Sequence, residues 1–223
     1  MEVTKPRLLI VGDSYFHKDP EFPDQHWSEM LPDYEIDNRA FPGNSTGMIL
    51  HELISGLTLG PAAVVIGFTG TDRIEFKNTD PYINREWITS AFSHALNQDQ
   101  KLLMTLYQSL TDPAWNIASV GWQIVGALHT LKSLNIPFVY SLSIFERMLE
   151  DHTNIEQSRM SRIVDQFSQF DKHKIDFNLA TYPIELQTSS PLFHVPDPSW
   201  QQKFAAEVTT KLKTIDTPSI NLL

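Results

Sequence analysis

Two short runs constrain this chain more than anything else in it. Leu8-Leu9-Ile10-Val11, closed by Gly12, and Val64-Val65-Ile66, inside the segment 62–68, are apolar at every position. A strand with one face in water alternates apolar and polar residues, whereas an unbroken run suits a strand buried on both faces of a parallel sheet. Two further strands are predicted. In 34–40, Tyr34, Ile36 and Ala40 alternate with polar residues, and 137–142 is an apolar run opened by Pro137.

Helical patterns separate these runs. Ile49, Leu50, Leu53, Ile54 and Leu57 mark one apolar face after a Ser45-Thr46 cap. Ile117, Val120, Ile124, Ala127, Leu128 and Leu131 mark a longer helix, and Trp200, Phe204, Val208 and Leu212 a last one. That last helix starts at Asp197-Pro198 or at Ser199, where Ser199 and Gln202 fit a capping box. Strands alternating with helices give an α/β fold, a mostly parallel sheet covered on both faces as a three-layer α/β/α sandwich. The stretch 78–115 has helical character and no strand, and reads as a helical insertion in a single domain spanning 1–223.

Composition narrows the function. The 223 residues include no cysteine, which excludes disulfide scaffolds, thiolate metal sites and Cys nucleophiles. With 17 Lys+Arg against 27 Asp+Glu the formal net charge is -10, which argues against nucleic acid and against an anionic membrane surface as partners. The N-terminal residues carry no signal-peptide core, and the longest apolar stretch, 61–68, is far short of the roughly 20 residues a membrane span requires. A soluble, cytoplasmic protein is expected. With 9 Gly there is no nucleotide-binding glycine loop, so no cofactor is expected. His17 with Asp19, and Asp24 with His26, lack a third metal ligand at a recognised spacing.

In open parallel sheets, ligands bind outside the carboxyl ends of the strands. The residues there are Gly12-Asp13-Ser14, then Phe41-Pro42-Gly43-Asn44-Ser45, then Phe68-Thr69-Gly70 and on to Arg73, with Phe193-His194-Val195 just before the last helix. A serine hydroxyl in a tight turn after a buried strand is a candidate nucleophile once a base takes its proton, and His194 is the kind of base that works near neutral pH. Asp197 could orient His194 or cap the last helix, and Asp176 and Glu185 are other acids for the orienting role. Asp13 suits loop amides, Ser45 suits a helix cap, and Asn44 could touch substrate or cap. Arg73 could meet an anionic group or pair with Glu75. Trp27, Met30 and Leu31 read as core-facing residues of a short helix, and Trp87, Phe92 and Tyr107 as packing residues of the insertion.

The order of these blocks resembles the SGNH (GDSL-type) hydrolase family, in a compact form like those encoded by some bacteriophages, and the resemblance runs from residue 7 to about 213. It implies a flavodoxin-like fold with Ser14 as nucleophile, His194 as general base and the Gly43 amide in the oxyanion hole. Thr69 stands where the family carries its oxyanion-hole asparagine, Gly70 on the following aspartate, and Pro191 where the family carries the aspartate that orients the histidine. The implied function is hydrolysis of a small-molecule or glycan ester, in the host cytoplasm if the protein is viral. The departures at Thr69 and Pro191 motivate a second reading, a non-catalytic binding module or virion component on the same fold. Oligomeric state stays open.

Overall fold

In the computed structural model of the protein, the structure describes residues 4–18, 25–70, 73–77, 87–91, 113–143, 145–146, 157–182, 195 and 197–215. The strands are β1 (Arg7–Val11), β2 (Glu35–Asn38), β3 (Ala63–Gly67), β4 (Arg73–Lys77), β5 (Trp87–Ala91) and β6 (Phe138–Ser141). The α-helices are α1 (Thr46–Leu57), α2 (Pro113–Ser133), α3 (Gln157–Ser168) and α4 (Pro198–Thr214). The central sheet has the order β2-β1-β3-β6, with all three pairings parallel. Lys174 adds an isolated parallel bridge to Tyr140 on the outer side of β6.

The unbroken apolar runs divide residue by residue between two cores. Leu9 and Val11, Val64, Ile66 and Phe68, and Phe138, Tyr140 and Leu142 pack on one face with residues of α1, α2 and α3. Their neighbours of opposite parity, Leu8 and Ile10, Ala63 and Val65, and Val139, pack on the other face with Phe16, Trp27 and the α4 residues Phe204, Val208 and Leu212. Successive strand side chains point to opposite faces, so every residue of such a strand must be apolar to serve both layers. The fold is thus a three-layer α/β/α sandwich. β2 lies at the sheet edge and is at most half-buried, in keeping with its polar alternation. Trp27–Met30 forms the expected short helix, of 3-10 type, with Trp27 and Leu31 buried and Met30 partly so.

Two expectations need correction. The stretch 78–115 contains a strand: β5 pairs antiparallel with β4, with Phe76 opposite Ile88 and Lys77 opposite Trp87. The sequence of β5, Trp-Ile-Thr-Ser-Ala, is rich in aromatic and β-branched residues suited to a pleated ribbon. Residues 113–115 belong to α2, not to an insertion. Helix α4 does not open with a Ser199 capping box. Asp197 is the N-cap, accepting the Ser199 N–H at 2.8 Å, with Pro198 in the first turn, where its missing N–H costs nothing.

Among the described residues, no helix is long and apolar enough to cross a membrane.

Candidate active site

The doubly wound order puts β1 and β3 side by side at the point where the sheet changes direction of winding, the place where such folds open a crevice. Ser14 lies three residues past the end of β1, in a turn closed by the Phe16 N–H donating to the Asp13 carbonyl at 3.1 Å. Asp13 is fully buried and its Oδ1 accepts the Tyr15 N–H at 3.0 Å, the loop-ordering role expected of it. Ser14 is 7% exposed.

The loop after β2 is fastened to this turn. Phe41-Pro42-Gly43-Asn44 is a β-turn in which the Asn44 N–H donates to the Phe41 carbonyl at 3.1 Å and Gly43 has a φ of 83°. Proline followed by glycine with positive φ is the type II pattern, and a side chain at Gly43 would be strained. The Gly12 carbonyl, two residues before Ser14, accepts both the Phe41 N–H at 3.1 Å and the Asn44 side-chain amide at 3.0 Å. Asn44 therefore works as a strut between the two loops, an option outside the two weighed from sequence. Ser45 caps α1, its hydroxyl accepting the Met48 N–H at 3.1 Å, so the positive end of that helix abuts the turn pair. A cavity of about 590 Å³ opens beside these loops, lined among others by His17, Asn38, Ala40 and Phe41. The His17 Nδ1 is engaged with the Ala40 carbonyl at 2.9 Å.

The strand register fixes what stands next to Ser14. Val11 pairs with Ile66, and Gly67 with Ser141. The same register sets Gly12, Gly67 and Ser141 in one row, on the α4 side of the sheet by parity. That row is almost without side chains because Phe16 occupies the space. A Cβ at Gly67 would come within 2.1 Å of the Phe16 ring, and one at Gly12 within 2.7 Å of its Cβ. Ser14, Thr69 and Ser143 follow the ends of β1, β3 and β6. Thr69 is fully buried, and its Oγ1 has no hydrogen-bond partner among the described residues.

A structural comparison decides which architecture this is. Three solved structures align over nearly the whole chain, each with a TM-score of 0.50: TesA, at 16% identity over 93% of this chain and 98% of that one; a lipolytic protein of the G-D-S-L family from Desulfitobacterium hafniense, at 10% over 93% and 99%; and the psychrotrophic esterase EstA from Pseudoalteromonas sp., at 13% over 94% and 97%. The fold is that of the SGNH hydrolases. No family model matches the sequence, and neither does any curated protein.

Within this SGNH fold the other sequence candidates sort as follows. His194, Pro191 and Glu185 lie outside the described residues, as do Asp19, Asp24, Phe92 and Tyr107. Val195, next to His194, is 2% exposed and packs in the α4-side core, and its carbonyl accepts the Gln201 Nε2–H at 2.8 Å. Gln201 also takes the Trp27 N–H on its Oε1 at 3.0 Å, so one buried side chain pins the segment entering α4 to the Trp27 turn. Asp197 is committed to its cap, and hydrogen bonds from Ser199 hold its carboxyl below the usual range. Asp176 is at the surface, 77% exposed and paired with Lys211 at 3.2 Å, which does not suit an orienting acid. Arg73 opens β4 opposite Ala91, and Trp87 opens β5; their side chains lie outside the described residues. His26 is buried, with burial pushing its pKa down to about 3, and its Nδ1 accepts the Ser28 N–H.

Two residues were missed from sequence. Ser143 follows β6 with a φ of 49°, which nothing in a Ser-Leu-Ser stretch announces. Gln201 looked like one more polar residue of an amphipathic helix. Only the count of four residues from Asp197, which turns it inward beside Ala205 and Val208, could have flagged it.

Proposed function

We propose that the protein is a serine ester hydrolase acting on a small-molecule or glycan ester. The observation that carries this reading is the position of Ser14, in a braced turn at the carboxyl end of β1 where the winding reverses, with the buried Thr69 hydroxyl, which has no hydrogen-bond partner among the described residues, two residues past the end of neighbouring β3. Ser14 Oγ attacks the ester carbonyl while His194 takes its proton. The negative charge on the tetrahedral oxygen is met by the amides of Ser14 and Gly43 and by the Thr69 hydroxyl. Collapse breaks the acyl–oxygen bond, and His194 returns the proton to the departing alcohol. Water, deprotonated by the same imidazole, then releases the acid and restores Ser14.

The three similar structures share the fold, and two are described as a lipolytic protein and an esterase, the latter in a form inhibited by monoethylphosphonate. A phosphonylating probe is therefore the direct test. Wild-type protein is expected to label with a fluorophosphonate, Ser14→Ala not at all, and His194→Ala at least about 100-fold more slowly. Wild-type labelling no faster than that of Ser14→Ala overturns the hydrolase. It would leave the second reading, a binding module or virion component, which is favoured by the hydroxyl at Thr69 where an amide donor is expected and by Pro191 at the orienting-acid position.

A further inference from the structure

Helix α2 turns two tryptophans toward solvent. Trp115, Ser119, Trp122 and Gln123 fall at i, i+4, i+7 and i+8, so they form one stripe along the helix. Trp115 is 59% exposed and Trp122 47%. Helix α3 packs beside this stripe. It is let in by Gly121, where a Cβ would come within 2.9 Å of Ile163 Cγ2, and the close approach brings the neighbouring Arg162 up to the indoles. Between the two helices opens a cavity of about 660 Å³, lined by Trp115, Ala118, Ser119, Trp122, Gln123 and Arg162.

Folding does not account for this set of residues. An indole left half in water adds little to a core, and exposed apolar surface is a liability unless something covers it. The charge pattern is equally selective. The chain carries a net charge of -10, yet no acid lines the cavity and the 21 residues of α2 include no Asp or Glu. Arg162 is exposed and has no ion pair or hydrogen bond among the described residues. Aromatic walls with a few neutral hydrogen-bonding groups and one charge, around several hundred Å³, are the make-up of a small-molecule site. The guanidinium sets the sign of the molecule, because its planar fork matches a carboxylate.

We propose that this cavity binds an organic carboxylate, with the apolar body against Trp115 and Trp122, the carboxylate on Arg162, and the Gln123 amide as a second donor. The site shares no lining residue with the Ser14 turn, and it does not depend on the ester-hydrolase reading.

The test follows the indole N–H signals of the full chain in proton–nitrogen correlation spectra, assigned with Trp115→Phe and Trp122→Phe. The protein is titrated with phenylbutyrate and, separately, with phenylbutanol, which share an apolar body and differ in charge. The acid is expected to shift the Trp115 and Trp122 signals and leave that of the buried Trp27 in place. Its affinity should exceed that of the alcohol about fivefold at low salt, the worth of an exposed charge pair, and the gap should narrow as salt is added. Arg162→Gln, a surface change that leaves Tm unaltered, is expected to erase the gap without weakening the alcohol. The inference is overturned by a wild type in which neither indole shifts, by equal affinities for acid and alcohol, or by a preference for the acid that survives in Arg162→Gln.

Discussion

The two faces of the sheet are built from the same strands and end differently. Beneath α1, α2 and α3 the strands stay bulky to their tips, through Val11, Phe68 and Leu142. Beneath α4 they begin equally apolar with Leu8, Ala63 and Val139, then change to Gly12, Gly67 and Ser141. One face is filled from end to end, while the other is nearly emptied of side chains at the strand tips. Phe16 is what makes the emptying tolerable. Its ring fills the space over Gly12 and Gly67 and meets Trp27 and Phe204 edge-on, at centroid distances of 5.8 and 5.5 Å. The emptied end of that face therefore rests on an aromatic plug supplied by the same loop that carries the serine.

The sharpest way to break this comparison is to remove one large aromatic from each face. Phe16→Ala and Phe138→Ala each truncate a fully buried ring and should each lower unfolding free energy by about 3–5 kcal/mol in urea titrations. Only Phe16→Ala, which removes the ring packed over Gly12 and Gly67 beside the Ser14 turn, should also slow fluorophosphonate labelling of Ser14 at temperatures where both variants are folded. Equal labelling in the two would show that the plug does not support the site. Gly67→Ala should also destabilise, and less so in a Phe16→Leu background, because the clash is with the ring.

A somewhat smaller effect separates the faces by pH. His26, beside Trp27 on the α4 side, has its pKa lowered by burial from 6.5 to about 3. The unfolded chain binds that proton near pH 6.5 and the folded chain only near 3, so the associated stability is complete above 6.5 and is lost as pH falls through the interval. Wild-type Tm should decline over this range. His26→Asn, which keeps an acceptor for the Ser28 N–H, should decline less steeply. His173, stacked on Phe138, is shifted downward by burial too, but the Phe138 carbonyl opposes the shift, so His173→Asn should flatten the profile less. A larger flattening from His173 would reverse the order. The smallest expected change is at the helix that abuts the turns: Ser45→Ala should cost about 1 kcal/mol in the same titrations, the loss of one N-cap.

Much of this was legible because it rests on local rules. Unbroken apolar runs located β1, β3 and β6, and Ser45 and the Asp197-Pro198 pair marked helix starts. What escaped notice depends on partners distant in sequence. β5 is a strand because β4 pairs with it, and its five residues sit in surroundings of helical composition. Helix α3 shows few apolar residues, and Ile163 and Phe167 acquire meaning only against the α2-side core. Gly12 and Gly67 looked like ordinary strand ends until the Phe16 ring was seen above them. Ser143 gave no signal because a serine does not advertise a left-handed backbone.

The parallel register has a consequence for how this chain can vary. The pairing fixes which residue stands beside which, and side-chain direction alternates along each strand. Losing or gaining a single residue inside β1, β3 or β6 would therefore exchange the residues that face the two layers and drive bulky side chains into the space the Phe16 ring fills. Length changes inside the β4–β5 ribbon do not shift this register, because those strands pair with each other in a sheet of their own. Natural variation in this architecture should thus accumulate as insertions and deletions in that ribbon, with the lengths of β1, β3 and β6 held constant.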